Sequence, residues 1–333
     1  MLINEQSDAF VFVLSSQTLN EAEVMNDSTE APQVLSLHTS VKAVLSTLLC
    51  LFFLYVNGVM VFALLKKPLL LQSPRYVLFG HLLVTESLQL VASMLLYIFA
   101  VTRVRMASYV CITFVLLASS TVKLSPLSLA LMSLERYVAI CFPLRHASIV
   151  TSRTMTIAIA VIWTVASLDS FMLLILFVSL ENTSFTLQKL CIKSSVFRLQ
   201  IYVTLNRTFT IMYFALVSLI IIYTYVAVII TAKSASTNAS NANKAHKTVL
   251  LHLLQFCLCL TSTLFEMINT SSLLKIKRAV AVHIQYVFFL CLIILPKSLS
   301  PLLYGLRDRT FRHVFIYYFT FGFKSTVFPS LNS

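Results

Sequence analysis

Glu135 and Arg136 stand side by side in Met132-Ser133-Leu134-Glu135-Arg136-Tyr137-Val138-Ala139-Ile140-Cys141, at the end of a long apolar run. A charge inside such a run is costly unless it is paired or hydrated, and core packing has no use for one. The pair suits a conformational lock: a local ion pair holds the guanidinium in one state, and helix movement frees it to meet a partner. Arginine's long stem and forked donors fit that role better than lysine's compact ammonium. Adjacent side chains on a helix do not share a face, so the two must bend toward each other. The competing reading is an arginine that snorkels to lipid headgroups.

Five further charges fall inside apolar runs: Glu86, Lys123, Asp169, Glu266 and Lys297. Glu86 and Lys297 have comparable depths and are expected to pair across a bundle, since neither is easily buried alone; the alternative is a hydrated ion or proton site at Glu86. Pro296 and Pro301 remove helix hydrogen bonds near Lys297, and Tyr304 follows where it can bond different partners in two states. Lys123, with Ser119, Ser120 and Thr121, either lines a polar cavity or serves a neighbouring acidic group. Asp169 and Glu266 lie in the outer halves of their runs, to touch a ligand or to meet surface water. Glu266 and Asn269 are nearly one turn apart and suit a polar ligand. A basic rim at Arg103, Arg105, Lys275, Lys277 and Arg278 hints that the ligand is acidic.

The elements that must carry these residues are membrane helices. The 333-residue chain is 58% hydrophobic and 11% charged, against about 25% charged for a soluble domain. About 20 apolar residues cross the hydrocarbon as a helix, and backbone groups must pair internally there. Seven spans are expected, at 41–65, 76–101, 108–141, 154–180, 201–232, 247–273 and 279–304, making an all-α seven-transmembrane bundle. The third and fifth exceed one membrane thickness and must tilt or protrude. Residues 1–40 read as an extracellular tail, 41–304 as the membrane domain, and 305–333 as a cytoplasmic tail. In that tail, aromatics at 311, 315 and 319, with Arg307, Arg309, Arg312 and His313 between them, form a short helix lying in the interface.

With the N-terminus outside, basic residues favour the inner segments modestly. Asn26 and Asn182 then head outer glycosylation sequons, whereas Asn238-Ala239-Ser240 faces the cytoplasm. The net charge of +13 is scattered between spans rather than gathered in a stripe, so membrane lipid and an acidic intracellular partner are expected and nucleic acid is not. Cys257 and Cys259 lack metal-ligand spacing, and neither metal nor cofactor is expected.

Residues 41–315 resemble the rhodopsin-like (class A) G-protein-coupled receptors and, within them, the odorant receptors of the fish type. The strongest likeness runs from Met132 through Phe142-Pro143-Leu144-Arg145-His146. Asn57 matches the asparagine of the first span, although the usual Gly-Asn order is Asn57-Gly58 here. Ser73-Pro74-Arg75-Tyr76 is similar to the start of the second span, Trp163 to the fourth span's tryptophan and Tyr225 to the tyrosine near the inner end of the fifth. Lys244-Ala245-His246-Lys247-Thr248-Val249 looks like the inner start of the sixth. Leu299-Ser300-Pro301-Leu302-Leu303-Tyr304 resembles the Asn-Pro-x-x-Tyr motif.

The resemblance implies a disulfide between Cys111 and Cys191. It implies a ligand site in the outer half, with Ala118, Ser119, Val122 and Lys123 facing it. It implies an inner cleft around Arg136, Tyr137, Tyr225 and Tyr304 that opens to a stimulatory heterotrimeric G protein and raises cyclic AMP. Receptor kinase, arrestin and a ciliary plasma membrane complete the implied setting. Three departures matter: Glu86 stands where aspartate is usual, Ser300 replaces asparagine, and Lys297 sets a cation close by. Together they favour an internal ion pair over a bound sodium ion.

Other classes fit less well. A transporter would use Glu86 and Lys297 for coupling, but no broken helices repeat between the halves. No filter-like stretch supports a channel, and no nucleophile–base pair supports an enzyme. A receptor for some other small ligand stays open, although Ala118 occupies the position where amine receptors carry aspartate.

Overall fold

The structure, a computed structural model, describes residues 32–101, 104–180, 188–191, 199–234, 254, 257 and 309–320. Five long helices dominate them: α1 (Pro32–Leu65), α2 (Pro74–Val101), α3 (Ser108–Cys141), α4 (Ser152–Leu180) and α5 (Gln200–Ser234). A sixth, α6, spans Arg309–Phe319. All five long helices contain a stretch long and apolar enough to cross a membrane. The expected spans at 247–273 and 279–304 lie outside the described residues.

Helix starts follow local chemistry. Pro32, Pro68 and Pro74 each open a helix, where the missing N–H would have had no partner and φ is already helical. α1 begins nine residues before the span expected from 41, a helix continuing past the apolar edge of its span. A 3₁₀ turn, Pro143–Arg145, and a one-turn helix, His146–Ile149, join α3 to α4.

α3 is the axis. Of its membrane-crossing window 67% is enclosed by protein, against 28% for α4 and 22% for α5. It packs on α2, α4 and α5. One core joins Leu124, Leu127 and Ala130 to Ile162, Ala166, Tyr213 and Val217; another joins Leu78 and Leu82 to Leu129, Met132, Val150 and Met155. The outer helices turn Leu48, Phe52, Val161, Phe171, Ile175, Leu219 and Ile230 outward. Water would penalise that surface; lipid tails accept it. Helix association in lipid then rests on close packing. Gly80 of α2 illustrates this: a Cβ there would meet Leu64 Cδ2 of α1 at 2.8 Å.

A short antiparallel ribbon pairs β1 (Arg105–Ala107) with β2 (Gln188–Leu190), where the sequence carries no strand signal. Ladder hydrogen bonds satisfy backbone that a loop would leave open. The expected short C-terminal helix is present as α6, and its aromatic stripe packs on the bundle. Phe311, Val314 and Phe315 are buried against α1 and α2, with Phe311 edge-on to Phe79 at 5.3 Å and Tyr318 edge-on to Phe62 at 5.2 Å. Arg312 and His313 face out.

Candidate functional site

At one end of the bundle, Cys111 in the first turn of α3 is bonded to Cys191, just after β2, with Cα atoms 5.4 Å apart. Both are buried, so the ribbon and the disulfide fasten the long α4–α5 connection to the mouth of the central helix.

At the other end lies the acidic–arginine pair. Glu135 Oε2 is 3.3 Å from Arg136 Nε, and the side chains are 6% and 19% exposed. The two do bend together. A second group, which sequence reasoning missed, completes the arrangement: His146 Nε2 approaches Glu135 Oε1 at 3.5 Å from the connecting turn. Each carboxylate oxygen therefore faces a basic side chain. The available signal was Glu135 itself, a buried carboxylate that calls for basic neighbours.

From Ser133, contacts with α5 recur every four residues along α3, about one per helical turn. Thr224 Oγ1 donates to Ser133 Oγ at 3.3 Å. The Tyr137 and Tyr223 hydroxyls are 3.5 Å apart. Cys141 Sγ lies 3.3 Å from Thr231 Oγ1. The tyrosine meeting Tyr137 is thus Tyr223, while Tyr225 is half-buried two residues on. In the turn beyond, Leu144 is 99% exposed, an apolar side chain that nothing else among the described residues covers.

The middle of the bundle is polar. Lys123 of α3 is ion-paired with Asp169 of α4, and its ammonium lies 5.8 Å from the Tyr213 ring of α5. Of the two readings of Asp169, ligand contact or surface water, the second is excluded: it is wholly buried, and α3 supplies its counter-charge. It also provides the acidic neighbour that was one of the two readings of Lys123. Beside the pair, Ser120 and Ser170 share a hydrogen bond of 2.9 Å. Ala118 and Ser119 are buried and Val122 half-buried on the same helix.

Two further knots hold α2. Ser125 Oγ donates to Glu86 Oε1 at 2.5 Å. His81 was not singled out from the sequence. The Trp163 indole N–H donates to its Nε2 at 2.9 Å, so in the neutral ring Nδ1 carries the proton and donates to Ser128 Oγ at 3.2 Å. One imidazole thereby joins α2, α3 and α4. Trp163 was the signal, since a buried indole N–H needs an acceptor. Asn57 is buried on α1, and its Nδ2 has no hydrogen-bond partner among the described residues.

Asn26, Asn182, Glu266, Asn269, Lys297, Pro301 and Tyr304, and with Lys297 one side of the expected Glu86–Lys297 pair, lie outside the described residues. No group of side chains among the described residues is arranged to hold a metal.

The described residues thus form an apolar-faced helical bundle with a disulfide at one end and an enclosed acidic–arginine pair at the other. Comparison with known proteins agrees. The family model of the 7 transmembrane receptor (rhodopsin family) matches residues 56–304. The chain belongs to that family, the class A G-protein-coupled receptors. Odorant receptor 131-2 of Danio rerio is 30% identical over 267 residues, covering 80% of this chain and 82% of that protein. Two human proteins are more distant: Olfactory receptor 2T1, 25% identical over 273 residues (77% of this chain, 70% of that one), and Olfactory receptor 2T6, 27% identical over 263 residues (76% and 82%). The chain is accordingly a multi-pass plasma-membrane protein and not an enzyme.

Proposed function

We propose that this chain is an odorant receptor. It binds a small polar molecule in the half of the bundle nearer the disulfide and activates a stimulatory heterotrimeric G protein, raising cyclic AMP. The disulfide end and the N-terminal tail face outward, with Asn26 and Asn182 available for glycosylation. The Arg136 end faces the cytoplasm of a sensory cilium, where receptor kinase and arrestin act on the switched state. The observation that carries the reading is the shielded Glu135–Arg136 pair, held at 3.3 Å beside an exposed Leu144. A charge kept out of water next to an uncovered apolar side chain is an interface waiting for a partner.

In this reading Ala118, Ser119, Val122 and Lys123 of α3 line the ligand site together with Glu266 and Asn269. Asn57, Glu86, Lys297 and Pro301 form the internal polar switch. Ligand must bind the two conformations with different affinities; equal affinity shifts nothing. Once the cleft opens, Arg136, Tyr137, Tyr225 and Tyr304 meet the partner, which carries the nucleotide chemistry. The test is odorant-stimulated cyclic AMP in cells expressing the chain. Arg136→Ala should reach the surface and lose the response; an unchanged response would reject its role, and ligand-driven solute flux without a G protein would reject the function.

A further inference from the structure

The inner surface of the bundle carries cations without acidic counterparts. Only three acidic residues occur among the described ones, Glu86, Glu135 and Asp169, and all three are buried. Each turns inward: Glu86 toward Ser125, Glu135 toward Arg136 and His146, Asp169 toward Lys123. Lys66 and Lys67, by contrast, are exposed, and they are the first two residues beyond the apolar stretch Val44–Leu65 of α1. Arg312 and His313 are exposed on the outer face of α6. The sequence around α6, residues 305–320, sets Arg307, Arg309 and Arg312 against Asp308 alone. One core brings the two elements to a single corner: Leu64 of α1, Tyr76 of α2, and Phe311 and Val314 of α6 belong to it. The Lys66 ammonium lies 5.5 Å from the Phe62 ring, which itself meets Tyr318 of α6 edge-on at 5.2 Å. Arg75, at the start of α2, adds a further positive charge there, stacked 4.7 Å from the Tyr76 ring.

What fits this corner follows from charge and from depth. The cations stand where the apolar stretch ends, so an occupant meets hydrocarbon on one side and water on the other. Phe62 and Leu65 are exposed beside the lysines, an apolar wall for acyl chains that a soluble anion would not need. Lysine and arginine stems lie along such a wall while their charged heads reach the headgroup level. Two adjacent lysines on one element and an arginine on another suit a headgroup with several anionic groups; a singly charged one is satisfied by a single cation. A phosphate monoester carries about −1.5 to −2 charge and three acceptor oxygens. Basic clusters just cytoplasmic of a membrane helix attract lipids of this kind. We propose that the corner between the end of α1 and the outer face of α6 binds a phosphoinositide, with Lys66, Lys67 and Arg312 on its phosphates and Phe62 and Leu65 along its acyl chains. This rests on the reading that the Arg136 end faces the cytoplasm, the leaflet that holds such lipids.

The test uses the purified full chain in nanodiscs of phosphatidylcholine containing either phosphatidylinositol 4,5-bisphosphate or phosphatidylserine at matched total charge. Lipid retained by the chain is counted by native mass spectrometry after release from the disc. A single phosphoinositide should be retained, and phosphatidylserine, which engages one cation, about tenfold less. Lys66→Gln with Lys67→Gln should weaken retention about thirtyfold and Arg312→Gln about fivefold, at about fivefold per cation near the surface. The three side chains are exposed, so the thermal unfolding midpoint in phosphatidylcholine alone should not change. Lys66→Arg with Lys67→Arg should keep the binding. Arg153→Gln, which removes an exposed cation at the start of α4, should leave retention as in the native chain.

Equal retention of phosphatidylserine overturns the proposal, since the surface would then respond to charge alone. So does an equal loss in Arg153→Gln. Displacement of the lipid by inositol 1,4,5-trisphosphate at equal concentration overturns it too, making the ligand a soluble polyphosphate. Retention of neither lipid does the same and leaves the corner to an acidic protein. The measurement needs no G protein and no odorant. Cyclic AMP output is recorded separately: lipid retained without signalling keeps the site and removes the receptor function, and signalling without lipid retention does the reverse.

Discussion

Replacing Glu135 with glutamine tests the lock most directly. The substitution keeps volume and an acceptor oxygen but removes the charge facing Arg136 Nε at 3.3 Å. A hydrogen bond to a charged group contributes about 1.5–3 kcal/mol, an exposed ion pair about 0.2–1 kcal/mol. This pair falls between the two: the carboxylate is enclosed and the guanidinium is partly wet. A loss of about 1.4 kcal/mol from the locked state is a tenfold change in the equilibrium. Where the open state is rare, its population rises in the same proportion. Basal cyclic AMP, normalised to surface-labelled protein, should therefore rise about tenfold in Glu135→Gln. His146→Ala removes a longer contact, 3.5 Å, made by a side chain 30% exposed, and should raise it only about twofold. Basal output within twofold of the native chain for Glu135→Gln, at equal surface level, would refute the lock. A larger rise from His146→Ala than from Glu135→Gln would show the turn, not the arginine, to be the restraint.

Other consequences can be measured on the same chain. Leu144→Asp should preserve surface expression and odorant binding while cutting G-protein activation at least tenfold, since an ion replaces an apolar side chain that is 99% exposed at that end. Lys123→Met alone leaves the Asp169 carboxylate uncompensated and should cost about 3–5 kcal/mol of stability; adding Asp169→Leu should restore most of it, as read by thermal unfolding in nanodiscs. Phe311→Ala removes a ring that is 1% exposed at a cost of about 3–5 kcal/mol. Eleven residues do not hold a helix alone, so hydrogen exchange across Arg309–Phe319 should rise sharply. Cys191→Ser should lose about 2–4 kcal/mol and lower surface expression without changing helix content by circular dichroism.

The span boundaries were legible because hydropathy and proline act locally. The run expected at 108–141 is the helix Ser108–Cys141, and the one expected at 154–180 begins at Ser152. α1 departs because a helix can continue past the apolar edge of its span, which hydropathy does not detect. Depth was legible too: Lys123 was placed mid-span and is buried there. Rotation about the helix axis was not, so the partnership of Lys123 with Asp169, 46 residues away, could not be read. The stripe at 311, 315 and 319 announced an apolar face on α6. A face that buries aromatics against protein and one that lies in lipid have the same spacing, so the partner had to come from the structure. His81 and His146 escaped notice because each acts only through a distant residue, Trp163 or Glu135, whose bonding needs were the sole clue.

The mid-depth cluster and the lock share one helix. Lys123 and Arg136 are thirteen residues apart on α3, about 20 Å along the axis. Pro126 lies between them, where it removes the hydrogen bond to residue 122 and leaves a point that bends readily. Above that point α3 is held by the Lys123–Asp169 pair and the Ser120–Ser170 bond. Below it the helix is held by His81 through Ser128 and by Thr224 through Ser133. A ligand that changes the polar contacts above Pro126 therefore acts on a segment whose lower half is anchored to different helices. Among the described residues, bending at the proline is relieved by moving α2 or α5 against α3 or by loosening the Glu135 contacts, and each would change how Arg136 is presented. The coupling requires no chain of intermediates beyond one central helix with a weak joint and separate anchors on either side.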